Sequence, residues 1–583
     1  MSGFKRLVLV FAVLYAAFAA GRATAQDAPD IVGTWSGAVS VPTGDLRLVL
    51  YVERGADGAL KAQIESIDQN PGNKADVTAI TVADGKLDFT VAPINAHYEG
   101  AWDAAAQAGK GTLTQGQEMQ LDFARGAPPP APVIAGLDGV WVGTVERNGV
   151  KLRQILNVRT VDGRGTVAVY SSPDQMAYGL PVSDLAREGQ AVSLATARGQ
   201  ARFAGTLSDD GTELAGTWTA PNQPDVTTTF TRATEEQVAA RRNPARPQTP
   251  KEPFAYHAEE VAFDNPAFAD VHLVGTLTLP EGQGPFPAAI MITGSGPQDR
   301  DEAMLDHKPF AVIADHLTRH GIAVLRFDDR GVGQSKGSYA TATSADLATD
   351  ANAAFAYLAS RPEIRRDAIG MIGHSEGGMI GPIAMAGNDK VAFFVSLAGP
   401  GTNLDQLMLS QRRLLTTQMG LSQAEIDRQE PIMAALFRAI RDADTPEAGY
   451  AAAIAVMTPE AKTALGMPVE MDGAVVVRQV SGPWYQYFLK YDPAPNWSHM
   501  KAPLLALNGS LDLQVPAAAN LAAIRAATAA NPDVTIVELP GLNHLFQHAT
   551  TGSVGEYRDI EETFSPEALE LISDWISQRL VKP

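Results

Sequence analysis

The stretch that decides the fold is Ala368-Ile369-Gly370-Met371-Ile372-Gly373-His374-Ser375-Glu376-Gly377-Gly378. Ala368 to Ile372 is a short apolar run of the kind that forms a strand buried on both faces. Gly377 to Ala386 is small and apolar, which suits a helix packed closely behind a sharp turn. A serine between such a strand and such a helix is lifted out of the turn with its hydroxyl exposed, and glycines at 373, 377 and 378 relieve the crowding. Pro382 inside the helix is an oddity that should cost one backbone hydrogen bond or bend the axis. The pattern G-x-S-x-G also occurs at Gly333-Gln334-Ser335-Lys336-Gly337. There Asp328-Asp329-Arg330-Gly331 precedes and Gly337-Ser338-Tyr339 follows, which reads as loop, so Ser335 is the weaker candidate.

Outward from this point, strands alternate with helices, the signature of a mostly parallel sheet. The strands include Ala288–Ile292, Ile322–Phe327, Phe393–Leu397, Pro503–Leu507 and Val534–Leu539. Between about 401 and 499 the alternation lapses into helical sequence such as Pro431–Arg441, and an insertion there would cap the strand ends.

A serine hydroxyl needs a base, and the base needs an orienting acid, in the chain order Ser, Asp, His for this type of fold. The histidines after 375 are His499, His544 and His548. His544 follows the strand Val534–Leu539 within Gly541-Leu542-Asn543-His544-Leu545-Phe546; His499 stands before a strand, at the wrong end. Asp512 follows the strand ending at Leu507, in Asn508-Gly509-Ser510-Leu511-Asp512, although an aspartate there also suits a helix cap. Two main-chain N–H groups should form an oxyanion hole: that of Glu376, and that of Ser295 in Thr293-Gly294-Ser295-Gly296-Pro297. No Gly-Lys-Ser/Thr follows these glycines, which argues against a phosphate cradle. The run Asp299-Arg300-Asp301-Glu302 could hold a metal, but an internal arginine favours a loop tied by its own ion pairs. No metal or other cofactor is expected.

Several separate motifs in this order resemble the EstD-type bacterial carboxylesterases: Thr293-Gly294-Ser295-Gly296-Pro297-Gln298-Asp299-Arg300-Asp301, Phe327-Asp328-Asp329-Arg330-Gly331-Val332-Gly333-Gln334-Ser335, Gly373–Gly378 and Gly541–Phe546. The resemblance covers 256–583. It implies an α/β-hydrolase fold with a helical cap, the triad Ser375, Asp512 and His544, and a small-molecule ester as substrate. Thr293 stands where the family usually has His, which should alter the support of the loop. Serine aminopeptidases and prolyl oligopeptidases belong to the same wider neighbourhood. The latter screen their sites with propellers whose blades repeat roughly every 40–50 residues. An aminopeptidase would use acids such as Glu425, Glu430 or Glu447 in the cap to hold an amine.

Before this region lie two copies of a different unit. Ile31-Val32-Gly33-Thr34-Trp35-Ser36-Gly37 is answered by Leu137-Asp138-Gly139-Val140-Trp141-Val142-Gly143, with the tryptophans 106 positions apart. Tyr98-Glu99-Gly100 and Gly111-Thr112-Leu113 are answered by Phe203-Ala204-Gly205 and Gly216-Thr217-Trp218. Period-two runs such as Leu46–Val52 and Leu156–Val161 predict antiparallel barrels or sandwiches. The expected organisation is therefore a signal peptide over 1–25, β modules over 26–127 and 134–234, a linker over 235–255, and a catalytic domain over 256–583.

Lys5 and Arg6, the apolar run Leu7–Ala20 and the small-residue site Ala23-Thr24-Ala25 form a secretory leader; 14 apolar residues are few for a membrane span. Export to the periplasm or medium is expected, with no stable membrane insertion. The 583 residues carry a formal charge of −20, or −23 once Lys5, Arg6 and Arg22 leave with the leader. A polyanion suits neither nucleic acid nor an anionic membrane. The absence of cysteine excludes thiol nucleophiles and cysteine metal sites.

Overall fold

The computed structural model describes residues 31–580 except 42–43, 71, 116, 197–200, 221–223 and 243. The expected leader lies outside the described residues. Two compact units emerge, one holding the first β module with Val161–Arg164, the other holding the second module and everything after it.

Each module is a nine-stranded antiparallel sheet, from Gly33–Val41 to Gln117–Arg125 and from Gly139–Arg147 to Val226–Arg232. Counted along the chain, the strands lie in the order 4-3-2-1-9-8-7-6-5 in both. The first strand pairs with the second and with the ninth, so the sheet curls around the side chains of one face. The repeat extends to single bonds. Trp35 Nε1–H donates to Ile31 O and Trp141 Nε1–H to Leu137 O. Arg47 pairs with Asp68 as Arg153 does with Asp174. The repeated glycines have a steric cause: Gly100 faces Gly111 and Gly205 faces Gly216 across the ladder. A Cβ at Gly111 would stand 2.8 Å from the Tyr98 ring, and one at Gly216 2.5 Å from that of Phe203.

The segment expected as linker is more ordered than its composition implies. Thr234 and Gln237 form reciprocal capping bonds, and Glu235–Arg242 is helical. Beyond it, Arg246 donates to the carbonyls of Leu305, Arg558 and Ile560, and Gln248 bonds Thr563 and Phe564. Polarity reads as linker in a sequence; here the polar groups are the means of attachment.

The α/β region has eight strands: β1 (His257–Asp264), β2 (His272–Leu279), β3 (Phe286–Ile292), β4 (Ala323–Phe327), β5 (Ile364–His374), β6 (Phe394–Leu397), β7 (Leu504–Gly509) and β8 (Val534–Leu539). They lie in the order 1-2-4-3-5-6-7-8, with β2 antiparallel to its neighbours. Apolar clusters cover both faces of the sheet, which explains why strands such as β4 and β7 are buried at every position. This is the arrangement of an α/β-hydrolase fold. Its helices are α1 (Pro309–Arg319), α2 (Ser344–Ser360) and α3 (Gly377–Ala386), then seven helices from Leu404 to His499 between β6 and β7, and finally Ala517–Ala527 and Pro566–Leu580. Pro382 is accommodated within α3.

Candidate functional site

Ser375 sits between β5 and α3 at φ +52°, a left-handed conformation that costs energy for any residue with a Cβ. Its own N–H donates to Leu397 O on the neighbouring strand. A Cβ at Gly377 would lie 2.2 Å from Ile292 O, so only glycine lets the helix start this close to β3. Gly294 is equally near: a Cβ there would stand 3.2 Å from that of Ser375.

His544 and Ser375 line one cavity of about 210 Å³. His544 Nδ1–H donates to Asp512 Oδ2 at 2.8 Å, which leaves Nε2 as the acceptor of this tautomer. Asp512 Oδ1 accepts the N–H groups of Gln514 and Val515 at 2.8 Å each, so the carboxylate is fixed from its own loop. Asp512 thus accepts the N–H groups of its own loop through one oxygen and meets His544 through the other. Asn543, fully buried, holds the histidine loop by accepting the N–H groups of Leu545 and Gln547.

The other candidates lie elsewhere. Ser335 Oγ donates to Asp328 O and accepts from Val274 N–H, a buried structural bridge. His499 bonds Pro495 O, and the exposed His548 pairs with Glu562 and Glu567. Glu425 pairs with Arg147 and Glu430 with Arg413, and neither these nor Glu447 line the cavity.

The loop 293–298 has its amide groups distributed in a telling way. Gly294 N–H donates to Glu302, Gly296 N–H to the Tyr339 hydroxyl, and Gln298 N–H to Asp329. Between them, Ser295 N–H meets no acceptor among the described residues, and neither does Glu376 N–H across the cavity. Thr293 donates its hydroxyl to Asp329 at 2.8 Å. The acidic run beside it is tied by ion pairs: Arg300 to Asp328, and Asp301 to Arg326 and Lys308.

Burial pushes the Asp329 carboxyl up to about 8, against the bonds from Gln298 and Thr293 that favour its ionised form. The folded protein therefore keeps this proton where the unfolded chain, near ~3.9, has lost it. The stability it contributes is complete below the unfolded value and is lost as the pH rises through the folded one. Asp329→Asn cannot ionise, so its Tm should gain on that of wild type from about pH 5 to about pH 9. A constant difference in Tm across that range would show that Asp329 does not titrate there.

Two side chains lining the cavity were not singled out by motif reading. His374 is buried, with Nδ1 3.0 Å from Glu302 and Nε2 3.0 Å from His544 O. Both partners can accept a hydrogen bond from the ring. Burial opposes a charge on the ring, but the Glu302 carboxylate and the His544 carbonyl outweigh it and raise the pKa. The pair ties the loop 293–298, through Gly294 N–H, to the backbone of His544.

The second is the side chain of Glu376. Burial raises its pKa, against hydrogen bonds from Ser344, Trp484 and Ser295. Its Oε1 accepts Ser344 Oγ–H at 2.6 Å and Trp484 Nε1–H at 2.7 Å. Trp484 and Phe488 belong to the helix Pro483–Lys490, between β6 and β7, and line the cavity one turn apart; Gln486 instead bonds Ile440 O and Ala443 O. An amide oxygen can accept the Ser344 and Trp484 bonds that Oε1 accepts now. Glu376→Gln should keep kcat/KM within about threefold, whereas Glu376→Leu orphans two buried donors and costs about 1–3 kcal/mol for each. Measured kcat/KM and Tm for the pair check this; equal damage by Gln would mean the ionised form is needed.

Comparison with known proteins follows the same outline. Residues 270–548 match the family of X-Pro dipeptidyl-peptidases (S15 family). Esterase EstD of Thermotoga maritima is 34% identical over 150 residues, covering 26% of this chain and 35% of the esterase. The matches suggest a serine hydrolase of the α/β-hydrolase superfamily. The chain thus spans about a third of the curated esterase's length. Among solved structures, the α/β hydrolase GrgF from Penicillium is similar at a TM-score of 0.36 and 19% identity, over 56% of this chain and 99% of that one. The Pyrococcus furiosus esterase PF2001 is similar at 0.36 and 15%, over 56% and 92%. Among the described residues no helix is long and apolar enough to cross a membrane.

Proposed function

We propose that this chain is an exported serine esterase acting on small, uncharged carboxylic esters. Ser375 Oγ attacks the ester carbonyl while His544 Nε2 takes its proton, and Asp512 stabilises the imidazolium that forms. The N–H groups of Glu376 and Ser295 receive the oxyanion. His544 then hands the proton to the departing alcohol, and in the second half it activates water to release the acid from Ser375. The seven inserted helices act as a cap, with Trp484 and Phe488 closing the acyl side.

The observation that carries this reading is the convergence on one cavity of Ser375 at its left-handed turn, His544 bonded to Asp512, and the unengaged N–H of Ser295. The choice of an uncharged ester rests on the lining. Neither Lys nor Arg lines the cavity, its volume is small for a ligand site, and Leu407, Met408, Val515 and Leu545 give it an apolar wall. Export rests on the leader sequence alone.

The family match over 270–548 favours a second reading, a dipeptidyl-peptidase using the same three residues. Holding a free amino terminus calls for an available carboxylate. Of the two glutamates lining the cavity, Glu302 faces His374 and Glu376 is pushed toward its neutral form. A panel of short aryl esters and aminoacyl-prolyl anilides separates the readings. Higher kcat/KM on the esters is expected; preference for the anilides would replace the esterase by the peptidase.

A further inference from the structure

The two β modules share their strand order and their internal bonds, yet two interior positions differ in size and a third in polarity. The Arg47–Asp68 and Arg153–Asp174 pairs fix an offset of 106 through strands two and three. In that frame Leu48 corresponds to Gln154 and Ile64 to Tyr170. On the opposite wall Leu113 is paired with Tyr98, as Trp218 is with Phe203. In the second module the two larger residues meet inside beside a polar one: the Tyr170 hydroxyl donates to Gln154 Oε1, and the Tyr170 and Trp218 rings are 5.2 Å apart. In the first module Leu48, Ile64 and Leu113 line a cavity of about 500 Å³ instead.

Protein interiors are close-packed, so a space of this size that opens at the surface and reaches the apolar inner face of the sheet is a candidate ligand site. It lies within the ordinary range for ligand sites, and barrels of this size hold one small ligand. The cavity is not uniform. Val39, Leu46 and Met119 extend the apolar wall, while Asn70, Asn73 and Lys74 gather on one side. Among the described residues of the lining Lys74 alone is charged; its Nζ rests 3.7 Å from the centre of the Tyr51 ring at the rim, and the lining holds no carboxylate.

We infer that the first β module is a binding site for a chain-like aliphatic monocarboxylate, its hydrocarbon among Leu48, Ile64 and Leu113 and its carboxylate at Lys74, and that the second module is the same barrel with that site filled. This inference uses no catalytic residue and stands independently of the esterase reading.

Decanoate is the probe, titrated calorimetrically into the whole chain. One saturable site is expected. Leu113→Trp and Ile64→Tyr each import the second module's residue, and each should weaken decanoate by about tenfold or more with Tm retained. Lys74→Glu should weaken decanoate by about tenfold while leaving decanol unchanged. No saturable binding up to about millimolar decanoate, or binding that both filling variants leave intact, overturns the site. Equal effects of Lys74→Glu on decanoate and decanol overturn the carboxylate assignment. Should Leu113→Trp fail to fold, Ile64→Tyr and Lys74→Glu still decide the matter.

Discussion

Ser375→Ala is expected to lower kcat on an aryl ester by about 10⁵-fold or more, with Tm close to that of wild type. The loss is large because the substitution removes the atom that forms the acyl-enzyme. His544, Asp512 and the two N–H groups are then left to act on water alone, which retains only the modest advantage of binding and oxyanion stabilisation. The fold should not suffer, because alanine keeps a Cβ in the same left-handed turn and the Ser375 N–H bond to Leu397 O is main-chain. Steady-state hydrolysis, labelling by a fluorophosphonate and a melting curve on one preparation check the three parts together. Substantial activity in a well-folded Ser375→Ala protein would sink the mechanism.

Asp512→Asn should cost about 10⁴-fold in kcat with little loss of stability. Oδ1 of the present side chain accepts Gln514 and Val515 N–H, and the amide oxygen of asparagine can keep both. The group then facing His544 Nδ1 is an NH₂, which donates where a carboxylate accepted. The imidazole is driven to carry its proton on Nε2, the nitrogen that must take the proton of Ser375. A variant that held the tautomer by another route would lose far less, so a loss under about tenfold would show that Asp512 does not orient His544. The rate of phosphonate labelling should fall in step with kcat, since both depend on an activated Ser375.

Much of this was legible in the sequence. The elbow around Ser375, the strands on either side, and Asp512 and His544 in order all follow from local patterns: a short apolar run, a set of glycines, a turn after a strand. The paired β modules were legible too, because repeated Trp and Gly positions answer the same steric demand twice. What was not legible depends on which polar groups meet. Glu302 read as part of an acidic loop, and His374 as the x of a pentapeptide. They became a pair only because β5 carries His374 beside the loop that holds Glu302. The segment 235–255 read as linker because its residues are polar, and nothing local says that Arg246 and Gln248 find carbonyls more than fifty residues away.

The sequence by itself determined the parts whose causes are short-range: the period-two modules, the strand-turn-helix that strains Ser375, and the order of Ser, Asp and His. Tertiary structure showed what engages the other G-x-S-x-G serine, because Ser335 spends its hydroxyl on Asp328 and Val274. It also decided which amide in the 293–298 loop is left unengaged, and which barrel keeps a cavity. The physical reason is the same in each case. Hydrogen-bond satisfaction and packing are properties of neighbours in space, and those neighbours lie tens to hundreds of residues apart along the chain.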